Sequence, residues 1–470
     1  MIGMTRHGIA LVGIVALAAC SPGEILKTEN PDIIDPGNVA TPAGLAALHA
    51  GALGDFSFAV VGDNGGTEGQ ILVSGSFSDE LGNSETFPTR KEFDQRGPIN
   101  LQNGTLTGVF RSLHRARRSA EVAAATIKDV LTTTGGTPAT DSRISEAYLL
   151  AGYTYLFFGE NYCSGVPVSE AEPDGSLSFG PPLTTTQLFD EAIKRFDSLV
   201  VYPGTNNTIR RAALVGKARA LLNLDQAAAA GALVDSLPAN WAYLTTHTVA
   251  LGRQQNGIFV FINQNERWSV ANVDGGNGLD FRGASDPRVP WHRFGTDVGF
   301  DAATPQYDQG KYASETASVV ISGGVEAKLI AAEAALQAGD NPTWLGILNA
   351  LRADPTLVPS TFPAGFPPAF PALGALADPG TAAGREDLMF RERAFWLYLT
   401  GHRLGDLRRL VRQYGRIGTA AGGVFPGAGG AQYVIDGNPK GGIFGDEMNL
   451  PVPFDETNNP QFLTCIDRNP

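Results

Sequence analysis

The sequence predicts a mainly α-helical protein built of helical hairpins, with long loop-rich insertions and a few short strands. Three observations predict it. Apolar residues recur at helical spacing in several separate segments. Those segments come as neighbours divided by a few polar or glycine residues. The 57 glycines and 30 prolines in 470 residues exceed what helices use, so long structured loops must separate the hairpins.

Residues 144–158 place Ala147, Leu150, Ala151, Tyr155 and Phe158 on one face. Residues 184–200 start at a threonine-rich cap and carry Leu188, Ala192, Phe196 and Leu199. Residues 209–223 and 226–237 read as an antiparallel pair, with Ala212, Gly216 and Ala220 permitting close approach between them. Residues 325–338 form a helix stopped by Gly339. Asp340-Asn341-Pro342 then restarts the chain, Pro342 suiting a first turn, and 343–352 closes that pair. Units of this size resemble degenerate tetratricopeptide repeats, although the full repeat signature is absent. The stretches 60–107, 238–322, 353–383 and 415–470 are expected to be irregular, with Ile258-Phe259-Val260-Phe261-Ile262 as a short strand.

The N-terminus carries a targeting signal. Arg6 precedes an apolar run of 12 residues, Gly8 to Ala19. A bilayer span needs about 20 residues, so this run fits the core of a secretory signal. It ends in Leu17-Ala18-Ala19-Cys20, which resembles a bacterial lipobox. The expected organisation is a signal peptide over 1–19, a lipidated polar tether over 20–42 beginning at Cys20, and one helical domain over 43–470. No later stretch is expected to cross a membrane, so the lipid would be the anchor.

A formal charge of −13 argues against a nucleic-acid partner, and 43% hydrophobic residues argue against disorder. With Cys20 lipidated, Cys163 and Cys465 are left as an even pair in an exported protein, and a disulfide between them is expected. No two of the six histidines have metal-ligand spacing. There is no His-Glu-x-x-His and no Gly-x-Ser-x-Gly. Gly427-Ala428-Gly429-Gly430 lacks the Lys and Ser/Thr of a phosphate-binding loop. No catalytic residue, metal or cofactor is expected, although the 48 acidic residues always leave room for a pair of carboxylates.

The stretch from Arg391-Glu392-Arg393 through Phe395-Trp396-Leu397-Tyr398 and Gly401-His402-Arg403 to Asp406-Leu407-Arg408-Arg409 resembles the C-terminal signature of the SusD/RagB family. Thr400 stands where that family has Glu, which puts one local ion pair in question. Tyr155-Leu156-Phe157-Phe158-Gly159 with Gly165-Val166-Pro167, Glu326-Ala327-Lys328-Leu329, Asp286-Pro287-Arg288, Leu450-Pro451-Val452-Pro453 and Asn459-Pro460 resemble further family elements, in family order. From spacing alone, Arg403 and Asp406 are expected to pair, Asp406 to reach Arg409, and Phe395 and Leu399 to pack in the core. The signature is expected to hold the fold and to touch no ligand.

The resemblance implies four repeat-like helix pairs and a loop-rich face. It implies an outer-membrane, cell-surface lipoprotein that is not an enzyme. Such a protein captures an oligosaccharide or other polymeric nutrient, a glycan first, and passes it to a SusC-like TonB-dependent β-barrel transporter that it caps. Sugars are held by aromatic platforms with amides and guanidinium groups beside them. Asn83, Phe87, Arg90 and Phe93 follow Ser78-Asp79-Glu80 in a region that the resemblance puts near the ligand face. Asn265, Arg267 and Trp268 form a second ligand-like cluster, and Trp291 lies in the same long loop. Two other functions remain open: an envelope scaffold of helical repeats with no small ligand, and a surface hydrolase.

Overall fold

Many of the helices start where a short polar side chain satisfies the free N–H groups of a first turn. A computed structural model describes residues 40–171, 176–367 and 370–470; the signal peptide, Cys20 and most of the tether lie outside the described residues. The chain divides into two units, Met1–Leu48 and His49–Pro470. Of the first, residues 40–48 are described, and they open α1 (Pro42–Val61).

In the second unit α2 (Gly69–Phe77) and α3 (Pro88–Gln95) precede a 30-residue helix, α4 (Gly104–Thr133), capped by Asn103 on Leu106 N–H at 3.1 Å. Asp141 caps α5 (Ser142–Asn161). Thr184 and Gln187 form a capping box at α6 (Thr185–Val201). Asn206 caps α7 (Asn207–Asn223), which turns into α8 (Ala227–Val234). After the one-turn α9 (Gly257–Phe259) come α10 (Gly324–Gln337) and α11 (Asn341–Ala353), the latter capped by Asp340 with Pro342 in its first turn. Thr381 caps α12 (Ala382–Trp396), and α13 (Arg403–Tyr414) ends at Gly415 in the left-handed region. The protein is mainly helical, of tetratricopeptide-like hairpins, with short antiparallel strand pairs in the loops.

Consecutive helices pack on each other from α4 to α8 and on to α10 and α11. The hairpins interlock by ring and hole. A Cβ on Gly152 or Gly159 of α5 would meet Phe196 or Phe189 of α6 at 2.5 and 2.6 Å. Those two pairs share one seven-residue spacing, so both rings seat along one helical face. Gly216 of α7 also faces Phe196, at 2.4 Å. Its small size therefore serves α6, where the sequence reading had it serving the next helix; at the α8–α10 contact Gly231 faces Ala334 instead.

Other expectations are corrected as well. Ile258–Ile262 is not a strand: Asn256 accepts from Phe259 N–H at 3.2 Å and starts α9, which runs into a π-helical turn, Val260–Gln264. A short, wholly apolar run carries no period to separate the two conformations. The stretch 60–107 holds α2 and α3; α2 is buried on every side and so shows no amphipathic pattern. The helix α4 was not anticipated, although Leu106, Val109, Phe110, Leu113, Ala116 and Ala120 are buried at helical spacing. By length and composition α1 does match a membrane span. Its Phe56, Ala59 and Val60 are buried in the protein, and Asp55 accepts from Ser119 and Arg253 at 2.5 Å each.

Cys163 and Cys465 form a disulfide with Cα atoms 6.0 Å apart. It sits in a seam where the C-terminal tail runs beside the end of α5, with Cys163 N–H donating to Leu450 O at 2.9 Å and Ile466 N–H to Ser164 O at 2.7 Å.

The family-like signature is a buried charge network. Arg393 donates twice to Asp406, at 2.8 and 2.9 Å, and Arg409 donates to both oxygens of Glu333, at 2.6 and 2.9 Å. Arg409 also reaches Asp406 at 3.2 Å, as its spacing predicts. Arg403 does not pair with Asp406; it donates twice to Asp79 of the segment after α2, at 2.6 and 2.8 Å. Asp406 is already filled by Arg393, thirteen residues away in sequence and out of reach of spacing arguments. Burial raises the Asp406 carboxyl, but Arg393 and Arg409 outweigh it and hold the group well below the usual carboxylate range. Phe395 and Leu399 are both buried, although the chain leaves the helix at Trp396 and Leu399 takes a φ of 50°.

Candidate functional site

The loop-rich face is organised by one short strand pair, in which Leu81–Asn83 runs antiparallel to Trp268–Val270 with Asn83 opposite Trp268. Each strand leads into a loop at that end, so the pairing brings the chain after Asn83 and the chain before Trp268 together. The segment 299–304 closes over both. Phe300 N–H donates to Glu266 O at 2.8 Å, and Asp301 N–H donates to Ser84 O at 2.9 Å.

Glu85 is the centre of this arrangement. Its carboxylate accepts from Thr86 N–H at 2.8 Å, from Arg90 at 2.7 Å and from Arg267. Burial raises it, but the Arg267 hydrogen bond and the other donors outweigh that and hold it below the ordinary value. Arg90 also donates to Glu68, so it is locked between two carboxylates. Fixed in this way, the two guanidinium groups support rings. Arg267 lies 4.1 Å from the Phe300 centroid and 5.6 Å from Phe87, and Arg90 lies 5.4 Å from Phe87. Phe87 is 50% and Phe300 45% exposed. Large apolar rings held this open by buried ion pairs make a platform on which the face of a sugar ring or another flat ligand can lie.

A second stack stands on the same loop system. Trp291 and His292 pair with Gln309 and Asp308. Trp291 packs edge-on to Tyr307 at 5.5 Å, with its indole N–H donating to Arg282 O at 3.2 Å. Arg282 lies 3.5 Å from the Tyr307 centroid and Arg293 5.5 Å.

The sequence-chosen residues thus divide. Phe87 is an exposed ring of the platform, and Arg267, half-buried, lies against it. Arg90 braces it from below. Trp268 is buried beneath, its N–H donating to Ser76 Oγ at 3.1 Å and its ring edge-on to Phe261. Asn83 is buried too, its side-chain oxygen accepting from Glu85 N–H at 3.0 Å and so shaping the turn. Phe93 is a core residue, 1% exposed. Asn265 is half-buried, and its N–H closes the π turn on Val260 O at 2.8 Å. Trp291 belongs to the second stack and is half-buried. Sequence reading missed Phe300, Tyr307 and Glu85. Phe300 and Tyr307 lie in one connection, residues 293–308, whose aromatics among glycine and aspartate were the available signal.

Two nearby carboxyls are raised. Burial pushes Asp308 up to about 7, and Gln306 donates to it at 3.0 Å. Burial, with Asp297 beside it, raises Glu266.

No protein-family model matches the chain, and no curated protein sequence matches it. Solved structures do resemble it. A SusD superfamily protein from Bacteroides fragilis aligns with a TM-score of 0.62 at 13% identity, over 90% of this chain and 99% of its own. A SusD-like carbohydrate binding protein from Bacteroides vulgatus aligns at 0.56 and 15% identity, over 77% and 83%. A SusD/RagB family protein from Bacteroides thetaiotaomicron aligns at 0.53 and 10% identity, over 77% and 87%. Identities this low speak for the path of the backbone: this chain has the SusD-like fold.

Proposed function

We propose that this protein is a nutrient-binding lipoprotein of the SusD/RagB type, which captures a glycan on its loop-rich face. The observation that carries the reading is the Phe87–Arg267–Phe300 platform, two exposed rings held open by ion pairs on a SusD-like fold. A structural neighbour described as carbohydrate binding supports the ligand class. Cys20 carries the lipid, and the protein serves as a lid on a SusC-like TonB-dependent transporter at the outer membrane. Tethering raises the effective concentration of partner and ligand, so modest affinity suffices.

The test is retention on a panel of immobilised polysaccharides, comparing wild type with the Phe87→Ala, Phe300→Ala double variant. Retention that the double variant loses is the expected result; equal behaviour on every glycan removes the platform from the reading and favours a scaffold. For the partner, gentle solubilisation and pull-down through this chain is expected to bring a β-barrel receptor, and Cys20→Ser to release the protein from membranes.

A second reading has one observation in its favour. Asp308 near 7 beside the raised Glu266 is the kind of pair a glycoside hydrolase uses. Asp308 is buried, with Gln306 bonded to it, which suits a structural role better. Release of reducing ends by pure protein, abolished by Asp308→Asn, would establish the hydrolase.

A further inference from the structure

A cavity of about 350 Å³ lies between the segment 271–276 and the hairpin that pairs Gln432–Ile435 with Asn438–Ile443. That is the lower end of the range for small-molecule sites. Backbone makes the room. Gly82 lines the cavity, and a Cβ there would meet Ile435 Cγ2 at 2.8 Å. Asp436 and Gly437, the turn of the hairpin, both take positive φ, 48° and 83°. Gly276 and Gly437 line the cavity and are exposed, so it opens to solvent. The same turn ties it to the aromatic stacks. Arg282 donates to Asp436 and lies 3.5 Å from the Tyr307 centroid. Just past the turn, Asn438 donates to Thr304 Oγ1 at 2.9 Å, in the loop that carries Phe300.

Among the described residues the charged side chains that line the cavity are two acids, Asp274 and Asp436, with no lysine, arginine or histidine. Asp436 is matched by Arg282. Asp274 differs. It is 6% exposed, and among the described residues its carboxyl makes no ion pair. Its Oδ2 is covered and has no hydrogen-bond partner, while Oδ1 keeps accessible surface. Burial, with Asp94 and Asp79 near, raises the group well above the ordinary carboxylate range, against the pull of Arg96 and of Gly275 N–H. Arg96 does not line the cavity. It is wholly buried against the rings of Phe425 and Phe444, 5.4 and 5.7 Å from their centroids, and Asp94 shares its charge. Asp79 is spent on Arg403. Two buried carboxyls, Asp94 and Asp274, thus face one guanidinium, and the one left over is the one that lines the cavity. Buried carboxylates are normally matched, so this surplus marks a place where a cation is missing.

We propose that this cavity takes the ammonium group of an amino sugar, with Asp274 as its counter-charge. Ring hydroxyls meet Gln432 and the amide nitrogen of Asn272, whose oxygen is already taken by Gly283 N–H at 2.8 Å. Among the described residues no three His, Cys, Asp or Glu side chains gather to hold a metal ion, which favours an ammonium as the cation. The exposed rings on the same face favour a sugar as its carrier over a lysine side chain. The inference names the glycan class and rests on the glycan reading.

The test titrates the full processed chain at neutral pH with D-glucosamine, D-glucose and N-acetyl-D-glucosamine, by calorimetry and saturation-transfer NMR. Glucosamine is expected to bind about tenfold more tightly than either neutral sugar. Asp274→Asn keeps the shape, removes the charge and is expected to erase that preference. Folding is checked by the thermal transition. If Asp274→Asn does not fold, Gln432→Lys, which sets a cation on the exposed rim, is expected to weaken glucosamine and leave glucose unchanged. Equal affinity for the three sugars overturns the proposal, as does a preference that survives in folded Asp274→Asn. Nα-acetyl-lysine bound as tightly as glucosamine overturns the sugar as carrier, and calcium that displaces glucosamine overturns the ammonium. Polysaccharide retention separates the two readings. No glucosamine preference in a protein that retains polysaccharide removes the cavity alone, and a glucosamine preference without retention removes the platform alone.

Discussion

The signature between Arg391 and Arg409 and the loop face around Glu85 are built from the same residue types, and they use them in opposite ways. In the signature, Arg393, Arg403 and Arg409 face Asp406, Asp79 and Glu333, and every partner is buried. There the charges end on each other. On the loop face the Glu85 pairs are buried as well, but the planar guanidinium of Arg267 continues outward into Phe87 and Phe300. There the ion pair is a footing and the ring is the working surface. A conspicuous run of charge thus marked structure, while an isolated phenylalanine marked the candidate site.

Four measurements break or sharpen that comparison. The largest effect is expected from Asp406→Ala, which leaves Arg393 and Arg409 buried and undercompensated. Removing one partner of a buried ion pair costs about 3–5 kcal/mol. Urea unfolding reads it, and an effect below about 1 kcal/mol would mean the network is not what holds this region. The same network sets the acid limit. Asp79, Glu333 and Asp406 all titrate below their ordinary values. Their contribution is therefore complete above the unfolded carboxylate pKa of about 4 and is lost as pH falls through the lower folded values.

Next comes Cys465→Ser. Losing a bridge of this kind costs about 2–4 kcal/mol, and the transition midpoint should fall without loss of glycan retention. A smaller effect, of opposite sign, belongs to Glu80. Its carboxyl accepts from Leu399 N–H at 2.9 Å, its other oxygen has no partner, and burial raises it from 4.5 to about 8. The folded state keeps a proton that the unfolded state releases, so stability falls as pH rises from about 4.5 to 8. Glu80→Gln should flatten that slope in a pH series of melts. The smallest stability effect is expected from Phe300→Ala, within about 0.5 kcal/mol because the ring is exposed. Its glycan affinity should nonetheless fall about tenfold, the reverse of the pattern for Asp406→Ala.

Local chemistry was the part legible in advance. The threonine-rich start at 184 and Asp340 with Pro342 marked helix starts because a cap is decided by residues a turn apart. Where a partner is remote in sequence, reading from spacing failed. Arg403 met Asp79, 324 positions away, and not its near neighbour Asp406. Gly216 met Phe196 of the preceding helix. At the site, residue type selected Phe87, Arg267 and Trp268 together, yet type does not say which ring is covered. Trp268 lies on a strand that is buried on both faces, which residue type alone does not reveal. Phe300 needed the opposite knowledge, that the loop from 299 to 304 folds back onto Ser84 and Glu266 and so delivers its ring to Arg267.

The bridge between Cys163 and Cys465 joins residues 302 positions apart. Between them lie exposed connections, such as residues 377–381 just before α12. A protease that cuts there severs the backbone but not the molecule, because both pieces stay covalently linked and the buried charge pairs keep them in register. A nicked protein is therefore expected to run as one band on a non-reducing gel and as two after reduction. Its loop face would stay assembled after a cut between the two cysteines, since neither piece can then leave.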